Sequence, residues 1–567
     1  QQRPDGTWAI YYDGPGDLHA TVEAYFALKL AGVSLDEPFM AAARRFILAK
    51  GGVPRVRIFT KIWLALCGQY PWGGLPAMPP ELILLPSSFP FNVYEFACWA
   101  RGSIVPMFIL LTRKPVRPVP SWAAIDELFP GGRQNAGLSL PRPRNPLGWK
   151  GFFYLMDKAL HLYERLPAKP GRAVAERLAA EWIVSRQEAD GSWGGIQPPW
   201  VYSLMALKTL GYAASHPVIA RGLAEMEQGA FALEGEETFT PQACLSPVWD
   251  TALAIIGLLD AGLPPDHPAL VRAGRWLLKE QILAGGDWQV KNRRGRPGGW
   301  AFEFHNDIYP DTDDASEVMM ALHRTRLPEA EAKERALRRG LQWLLSMQSR
   351  NGGWGSFDVD NTRGYMAQIP FADFGAALDP PTEDVTAHIV EMLGILGFDA
   401  SFPPLARALA YLRRTQEADG AWWGRWGVNY IYGTGAVLPA LRAVGEGMSQ
   451  EHVRRAVRWL EAHQNADGGW GESCASYADP TLRGQGASTA SQTAWALLAL
   501  LAAGDVDSEA TRRGIAYLVQ TQRDDGTWDE PYYTATGFPR DFYINYHLYR
   551  HYWPLMALGR YRAQQPA

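Results

Sequence analysis

Residues 416–422 read QEADGAW, and close copies of this stretch set the plan of the whole chain. QRPDGTW (2–8), QEADGSW (187–193), QSRNGGW (348–354), QNADGGW (464–470) and QRDDGTW (522–528) repeat it, with QILAGGDW (281–288) as a looser copy. Apolar residues at helical spacing precede the full copies, as in ALAYLRRTQ (408–416) and AVRWLEAHQ (456–464). The Asp/Asn-Gly that follows the Gln after two intervening residues is turn chemistry. Each unit therefore reads as a helix ending in Gln, a tight turn and a Trp folded back. Between the copies lie more uniformly apolar helices, such as WDTALAIIGLLDAGL (249–263) and STASQTAWALLALLAAG (488–504). Outer amphipathic helices alternating with inner apolar ones describe a closed double ring. The expected fold is all-α, in two α/α-barrel (toroid) domains, 1–232 and 233–567, with a Pro/Gly/Arg-rich connection (129–150) inside the first. Gln and Trp could stack a carbohydrate or tie helix ends together; their helical context assigns them to architecture.

The 567 residues are 47% hydrophobic and carry a net charge of −4, with no Lys/Arg run, so nucleic acid is an unexpected partner. Cys67, Cys98, Cys244 and Cys474 are scattered without CxxC spacing, which reads as buried thiols of a reducing compartment rather than a disulfide or zinc framework. No apolar run approaches the roughly 18–20 residues of a spanning helix. The unusual feature is aromatic content: 23 Trp, 23 Tyr and 22 Phe.

YPDTDDASE (309–317) crowds Asp311, Asp313 and Asp314 into four residues, and three readings compete. Asp311 can cap a helix whose first turn holds the other two, where the helix dipole favours acid. Asp313, Asp314 and Glu317 have the DDxxE spacing of magnesium sites for diphosphates, but no second metal motif or Arg/Lys cluster accompanies them. Neighbouring carboxylates and burial could also keep one acid protonated at neutral pH, making a proton donor.

The repeats together with DTDD resemble the squalene-hopene cyclases, the bacterial class II triterpene cyclases: the repeat is their QW motif and DTDD fits their DxDD motif. Further stretches look like the family's, among them SPVWDTALA, GGWAFEFHNDIYPDTDD, DPPTEDVTAH, GRWGVNYIYGTGAV and TGFPRDFYINYHLYR. The family has a further segment before the point where this sequence starts, so the resemblance implies an N-terminally incomplete first domain.

The resemblance implies that squalene is cyclised to the pentacyclic hopene, and partly to hopanol, without a cofactor or metal. It makes Asp313 the donor, with Asp311 and Asp314 tuning it. His388 hydrogen-bonds the acid, Asp384 one turn earlier orients or charges His388, and Tyr432 takes part in proton return. It places Trp99, Trp249, Phe302, Trp426, Phe538, Phe542, Tyr546 and Tyr549 on a cation-stabilising wall. The last four recur at spacings of 4, 4 and 3, which fits one helical face. Glu23, Arg57, Gln197, Pro198 and Tyr202 would hold the terminating water, and Phe96, Ile104 and Phe371 would line the entry channel. A C30 hydrocarbon must come from a bilayer, so GWKGFFYLMDKALHLYERL (148–166) is expected to form a monotopic membrane plateau on the cytoplasmic side. A homodimer is a further expectation. The rivals are a class II cyclase of another linear polyprene, a helical-ring prenyltransferase subunit with a zinc site, and a non-catalytic Trp-rich binding module.

Overall fold

Gln348, Gln416 and Gln464 of the repeat each span two carbonyls at once in the computed structural model, which describes residues 2–137, 139–228, 232–234 and 239–565. Gln416 Nε2 donates to the carbonyl of Gly420 in its own turn (2.8 Å) and to that of His452 at the start of the next outer helix (2.7 Å). Gln348 does the same with Gly352 and Pro404, and Gln464 with Gly468 and Ala510, all at 2.8 Å. The turn needs glycine twice over. Gly420 has φ 109°, and a Cβ there would lie 2.8 Å from the carbonyl oxygen of Arg455.

The Trp closes the same joint from the other side. The indole N–H groups of Trp354, Trp422, Trp470 and Trp528 donate to Leu344, Leu412, Leu460 and Leu518, each ten residues earlier. The backbone N–H groups of Trp354, Trp422 and Trp470 go to the hydroxyls of Thr386, Thr434 and Thr493 on the following inner helices. The repeat is therefore architecture. The looser copy at 281–288 is in the wrong register, because Gln281 donates to Gly298 and Ala336, and Trp300 donates to Leu277. The true copy ends at GGW (298–300), with an insertion that carries Trp288 onto Trp343 at 6.1 Å.

The chain divides into two compact units, which interleave along the sequence. The first comprises Gln1–Gln187, Pro198–Ala224 and Arg363–Leu378; the second comprises Glu188–Gln197, Glu225–Thr362 and Asp379–Ala567. The helices that begin in the first 200 residues are α1 (Leu18–Leu30), α2 (Pro38–Ala49), α3 (Ile58–Leu66), α4 (Cys98–Arg113), α5 (Trp149–Arg165), α6 (Arg172–Val184) and α7 (Gln197–Thr209); α8 (Pro217–Gln228) follows. In the first unit α1 packs on α2 and α4 on α6, while α3 meets α1 through Thr60 and Glu23 and meets α7 through Phe59 and Tyr202.

The second unit contains α9 (Pro247–Asp260), α10 (Pro268–Lys279), α11 (Thr312–Arg324), α12 (Ala330–Ser346), α13 (Glu383–Ile395), α14 (Pro403–Thr415), α15 (Tyr430–Ala443), α16 (Glu451–Ala462), α17 (Ala490–Ala502), α18 (Glu509–Thr521) and α19 (Tyr549–Gln564). Helices α9, α11, α13, α15, α17 and α19 each pack on the next, and α19 packs back on α9, which closes a ring. α15 is buried without a break from Tyr430 to Leu441, and α17 from Ala490 to Leu501. Outer helices bury one stripe only, as α16 does with Val453, Ala456, Val457, Trp459 and Leu460.

One expectation fails. Phe538 and Phe542 do not share a helical face with Tyr546 and Tyr549; they lie on an antiparallel hairpin, β3 (Ala535–Phe538) and β4 (Phe542–Ile544), the last named strands of the chain after the short pair β1 (Ala232–Glu234) and β2 (Phe239–Pro241). Pro539 has no N–H for a helix interior, Arg540 sits at φ 79°, and a register shift between Thr536 and Phe538 bends the strand.

Gln464→Ala should leave the carbonyls of Gly468 and Ala510 without their donor and cost about 1–3 kcal/mol in denaturant unfolding. The same change at the exposed Gln522 should cost less.

Candidate active site

Helix α11 starts as the acidic cluster implied. Asp311 is its cap, its Oδ1 accepting the N–H of Asp313 at 2.7 Å, and Asp313 and Asp314 lie in the first turn. All three side chains are buried. Asp313 Oδ1 is 2.7 Å from His388 Nδ1 on the neighbouring inner helix α13, and Glu317 Oε1 is 3.9 Å from the same nitrogen. The Trp249 ring lies 6.2 Å from the imidazole, and Tyr432 on α15 meets it edge-on at 5.9 Å.

Burial alone would lower the pKa of His388; the Asp313 charge and hydrogen bond, then Glu317 and Asp384, overcome it and raise it to about 10. Asp311 is pushed well above the usual carboxylate range by burial and then by the Asp313 charge. Burial, followed by the charges of Asp311, Asp313 and Glu317, does the same to Asp314. Burial raises Glu317 to about 8. The site thus holds a hydrogen-bonded Asp313–His388 pair flanked by acids whose burial favours the neutral form.

Asp384 does not hydrogen-bond His388. Its Oδ2 instead accepts the backbone N–H groups of Arg425 (2.8 Å) and Trp426 (2.9 Å), so it positions the loop that carries Trp426 while adding negative charge near the imidazole. The Trp426 indole donates to Ser356 Oγ at 2.7 Å, and the Trp426 carbonyl accepts from Thr536 in β3. Around the ring, Trp249 Nε1 donates to Tyr549 Oη at 3.0 Å, Tyr549 stacks on Tyr546 at 4.8 Å, and Tyr546 meets Phe302 at 6.2 Å. Phe538 and Phe542 are 6.0 Å apart on their hairpin. A cavity of about 40 Å³ within the ring is lined by Glu317, His388, Tyr432 and Trp495 among others, and the Tyr432 hydroxyl is buried without a hydrogen-bond partner.

The bonds between repeat tryptophans and inner helices give those helices a common register. The Trp–Thr bonds align Thr386, Thr434 and Thr493, and backbone bridges of Trp300, Trp354 and Trp470 align Asp311, Thr382 and Thr489. On that alignment Asp313, Asp384 and Tyr432 occupy one position of successive inner helices, while Glu317, His388 and Trp495 share another one turn later. Glu317 and Trp495 were legible from this register alone.

Among the first-unit residues, Trp99 Nε1 donates to the Ala376 carbonyl at 2.6 Å, and Phe96, Ile104 and Phe371 are buried. Glu23 Oε1 accepts the Thr60 hydroxyl at 2.5 Å, with its pKa raised by burial and opposed by the Thr60 bond and the Arg57 charge. Arg57 Nη2 lies 3.9 Å from Asp17, and Tyr202 packs on Phe59 and Trp63 at 5.9 and 5.7 Å. Gln197, in the second unit, donates through Nε2 to the Gln242 carbonyl at 2.8 Å; Pro198 belongs to the first.

Both halves of the chain fall in one class of proteins, the cyclases. Residues 1–235 match the family model described as squalene-hopene cyclase N-terminal domain, and residues 245–563 the one described as squalene-hopene cyclase C-terminal domain. A squalene–hopene cyclase of Alicyclobacillus acidocaldarius is 51% identical over 564 residues, 99% of this chain and 88% of the relative. A squalene–hopene cyclase of Zymomonas mobilis is 44% identical, covering 100% and 87%; a dammaradiene synthase of Dryopteris crassirhizoma is 45% identical, covering 99% and 85%. The chain belongs to the squalene-hopene cyclase family.

Because the folded His388 pKa is raised, its pairing stabilises the protein fully below about pH 6.5, and this contribution is lost as pH rises through about 10. Histidine NMR should find its imidazole still protonated at pH 8 in the wild type, and Asp313→Asn should bring the titration down towards the ordinary range.

Proposed function

We propose that the protein cyclises squalene to hopene, with some hopanol by water capture, and that Asp313 starts the reaction by protonating a terminal C=C. The observation that carries this reading is the buried 2.7 Å pairing of Asp313 with His388 beside Trp249 and Tyr432. An isolated alkene is a very weak base, so the acid that protonates it must be strong in its site, and its conjugate base must be stabilised as it forms. The His388 imidazolium supplies that stabilisation, and Asp311 and Asp314, biased to the neutral form, add little competing negative charge. The step moves one proton from Asp313 to carbon and calls for no metal or cofactor. Tyr432 and Glu317 border the cavity beside His388, and the proton returns past them, while Asp384 holds the Arg425–Trp426 backbone.

The cation must then cross a dry space without meeting a base. Aromatic faces offer about 0.5–2 kcal/mol each to a cation without a lone pair that would quench it. Trp249, Phe302, Trp426, Phe538, Phe542, Tyr546 and Tyr549 of the second unit, and Trp99 of the first, take this role. Glu23, Arg57, Gln197, Pro198 and Tyr202 take the terminating one, and Phe96, Ile104 and Phe371 the entry role. A relative 45% identical is named for a different product, dammaradiene, so the product outline is a property to measure.

Delivery from a bilayer is part of the proposal. No helix of the described residues is long and apolar enough to cross a membrane. Helix α5 and the turn before it instead leave apolar side chains outside: Leu147, ahead of the helix, is 96% exposed, and within it Leu155 is 64% and Leu162 63% exposed, with Trp149, Phe152 and Met156 also open. A monotopic attachment on the cytoplasmic side, a homodimer and a division of the chain near residues 232–233 belong to the same proposal.

Detergent-solubilised protein incubated with squalene, without added metal, should yield a pentacyclic product by mass spectrometry. Asp313→Asn should lower turnover roughly 10²- to 10⁴-fold or more with the circular dichroism spectrum unchanged; appreciable residual cyclisation, or metal-dependent turnover of a diphosphate instead, would sink the reading. Leu155→Glu with Leu162→Glu should reduce flotation with phospholipid vesicles while leaving turnover in detergent intact.

A further inference from the structure

Two loops of the second unit meet over Gly195 in a way the cyclisation chemistry does not use. One follows the repeat at 187–193; the other joins Trp300 to the acidic cluster. Gly195 N–H donates to Glu188 Oε2 at 3.2 Å, and Ser192 Oγ donates to the same oxygen at 2.9 Å. A Cβ on Gly195 would lie 2.8 Å from Glu303 Cγ and 3.3 Å from Asn306 Nδ2, so both side chains close over this glycine. Glu303 Oε2 accepts the His305 N–H at 3.0 Å.

Three oxygens are left over. Glu188 Oε1, Glu303 Oε1 and Asn306 Oδ1 are buried with no hydrogen-bond donor, in residues only 4%, 1% and 6% exposed. Among the described residues no Lys, Arg or His forms an ion pair with either carboxylate; the His305 ring acts on Glu303 only as a neighbouring charge, and Asp190 adds further negative charge. Burying two carboxyl groups this way is costly unless something neutralises and ligates them. A proton shared by the two carboxyls would satisfy two of the three oxygens and leave Asn306 Oδ1 orphaned. A cation satisfies all three.

We propose that Glu188, Glu303 and Asn306 form a binding site for a hard divalent cation of the calcium or magnesium class. Two carboxylates balance the ion's charge, and an all-oxygen donor set selects against zinc and copper. The ion takes no part in proton transfer. It ties the 188–197 loop to the 302–306 loop, and so fixes the backbone next to Phe302 and Gln197, which lie one and two residues from its ligands and Gly195.

The test uses the intact protein, stripped with EDTA and then titrated separately with CaCl₂, MgCl₂ and TbCl₃. Calorimetry should show one ion bound per chain, Tb³⁺ emission should be sensitised through the adjacent Trp193, and a saturating excess of Ca²⁺ or Mg²⁺ should raise the melting temperature by several degrees. Glu303→Gln should weaken binding by at least about tenfold. Asn306→Ala, which keeps both carboxylates, should also weaken it and serves if Glu303→Gln fails to fold. The proposal is overturned if the wild type shows neither heat nor thermal shift, or if binding is unchanged in these variants. It is equally overturned if stability ignores the cations and falls as pH rises through about 7, where burial sets Glu303, since that marks a shared proton.

Discussion

Nothing in a helical hairpin tells it which neighbour to sit beside, since its apolar stripe would accept many partners. In this protein the repeat glutamine supplies that information. Its amide binds a carbonyl of its own turn and one on the second residue of the next outer helix, and its Oε1 takes an arginine from that helix, as Gln416 does from Arg455 at 2.5 Å. The bond is directional where burial is not, so each joint has one register. The Trp and Thr then pass that register inward, from the outer helix through the indole to the start of the inner helix. The site depends on the same transfer: the register that fixes α11 against α13 brings Asp313 within 2.7 Å of His388, one turn further along α13.

The ring also explains how acids survive at its centre. Inner helices are covered on both faces, so any polar group near their first turns is desolvated. Several of the acids there are answered by backbone N–H groups or hydroxyls, and one by an imidazole. Asp384 takes two N–H groups, Asp379 takes three, from Ser356, Phe357 and Asp358, and Glu530 takes the N–H and hydroxyl of Ser491. Asp313 alone among these is paired with a histidine. That difference separates a carboxylate that holds a loop from one placed to exchange a proton.

Much of this was legible in the sequence. The Gln-x-x-Asp/Asn-Gly-x-Trp copies announced outer helices and turns, and PDTDD announced a capped helix start. What stayed hidden has physical causes. The copy beginning at Gln281 is split by an insertion, so a short-range pattern joined Gln281 to Trp288 when the bonding joins it to Trp300. Spacings of 4, 4 and 3 among aromatics mimic a helix, yet Gly537 and Pro539 on either side of Phe538 favour a bent hairpin. Asp384 sits four residues before His388, and adjacency on a helix suggested a bond that the Arg425 and Trp426 N–H groups took instead. The first unit was hardest to read because its repeats are sparse, and its helices are joined by ion pairs and aromatic contacts without a fixed motif.

The closure of α19 onto α9 has a consequence for how the molecule is made. Trp249 bonds Tyr549, Tyr552 Oη donates to Asp250 at 3.0 Å, and Arg560 reaches Asp260 at 2.7 Å, each across about 300 residues of chain. Contacts so distant in sequence form late and slowly. During synthesis five of the six inner helices can assemble in order, joint by joint, while the apolar flank of α9 waits uncovered for its partner. The acid is therefore in place before the aromatic ring around it is shut, and the interval between the two is when the nascent protein is most open to aggregation or capture by a chaperone.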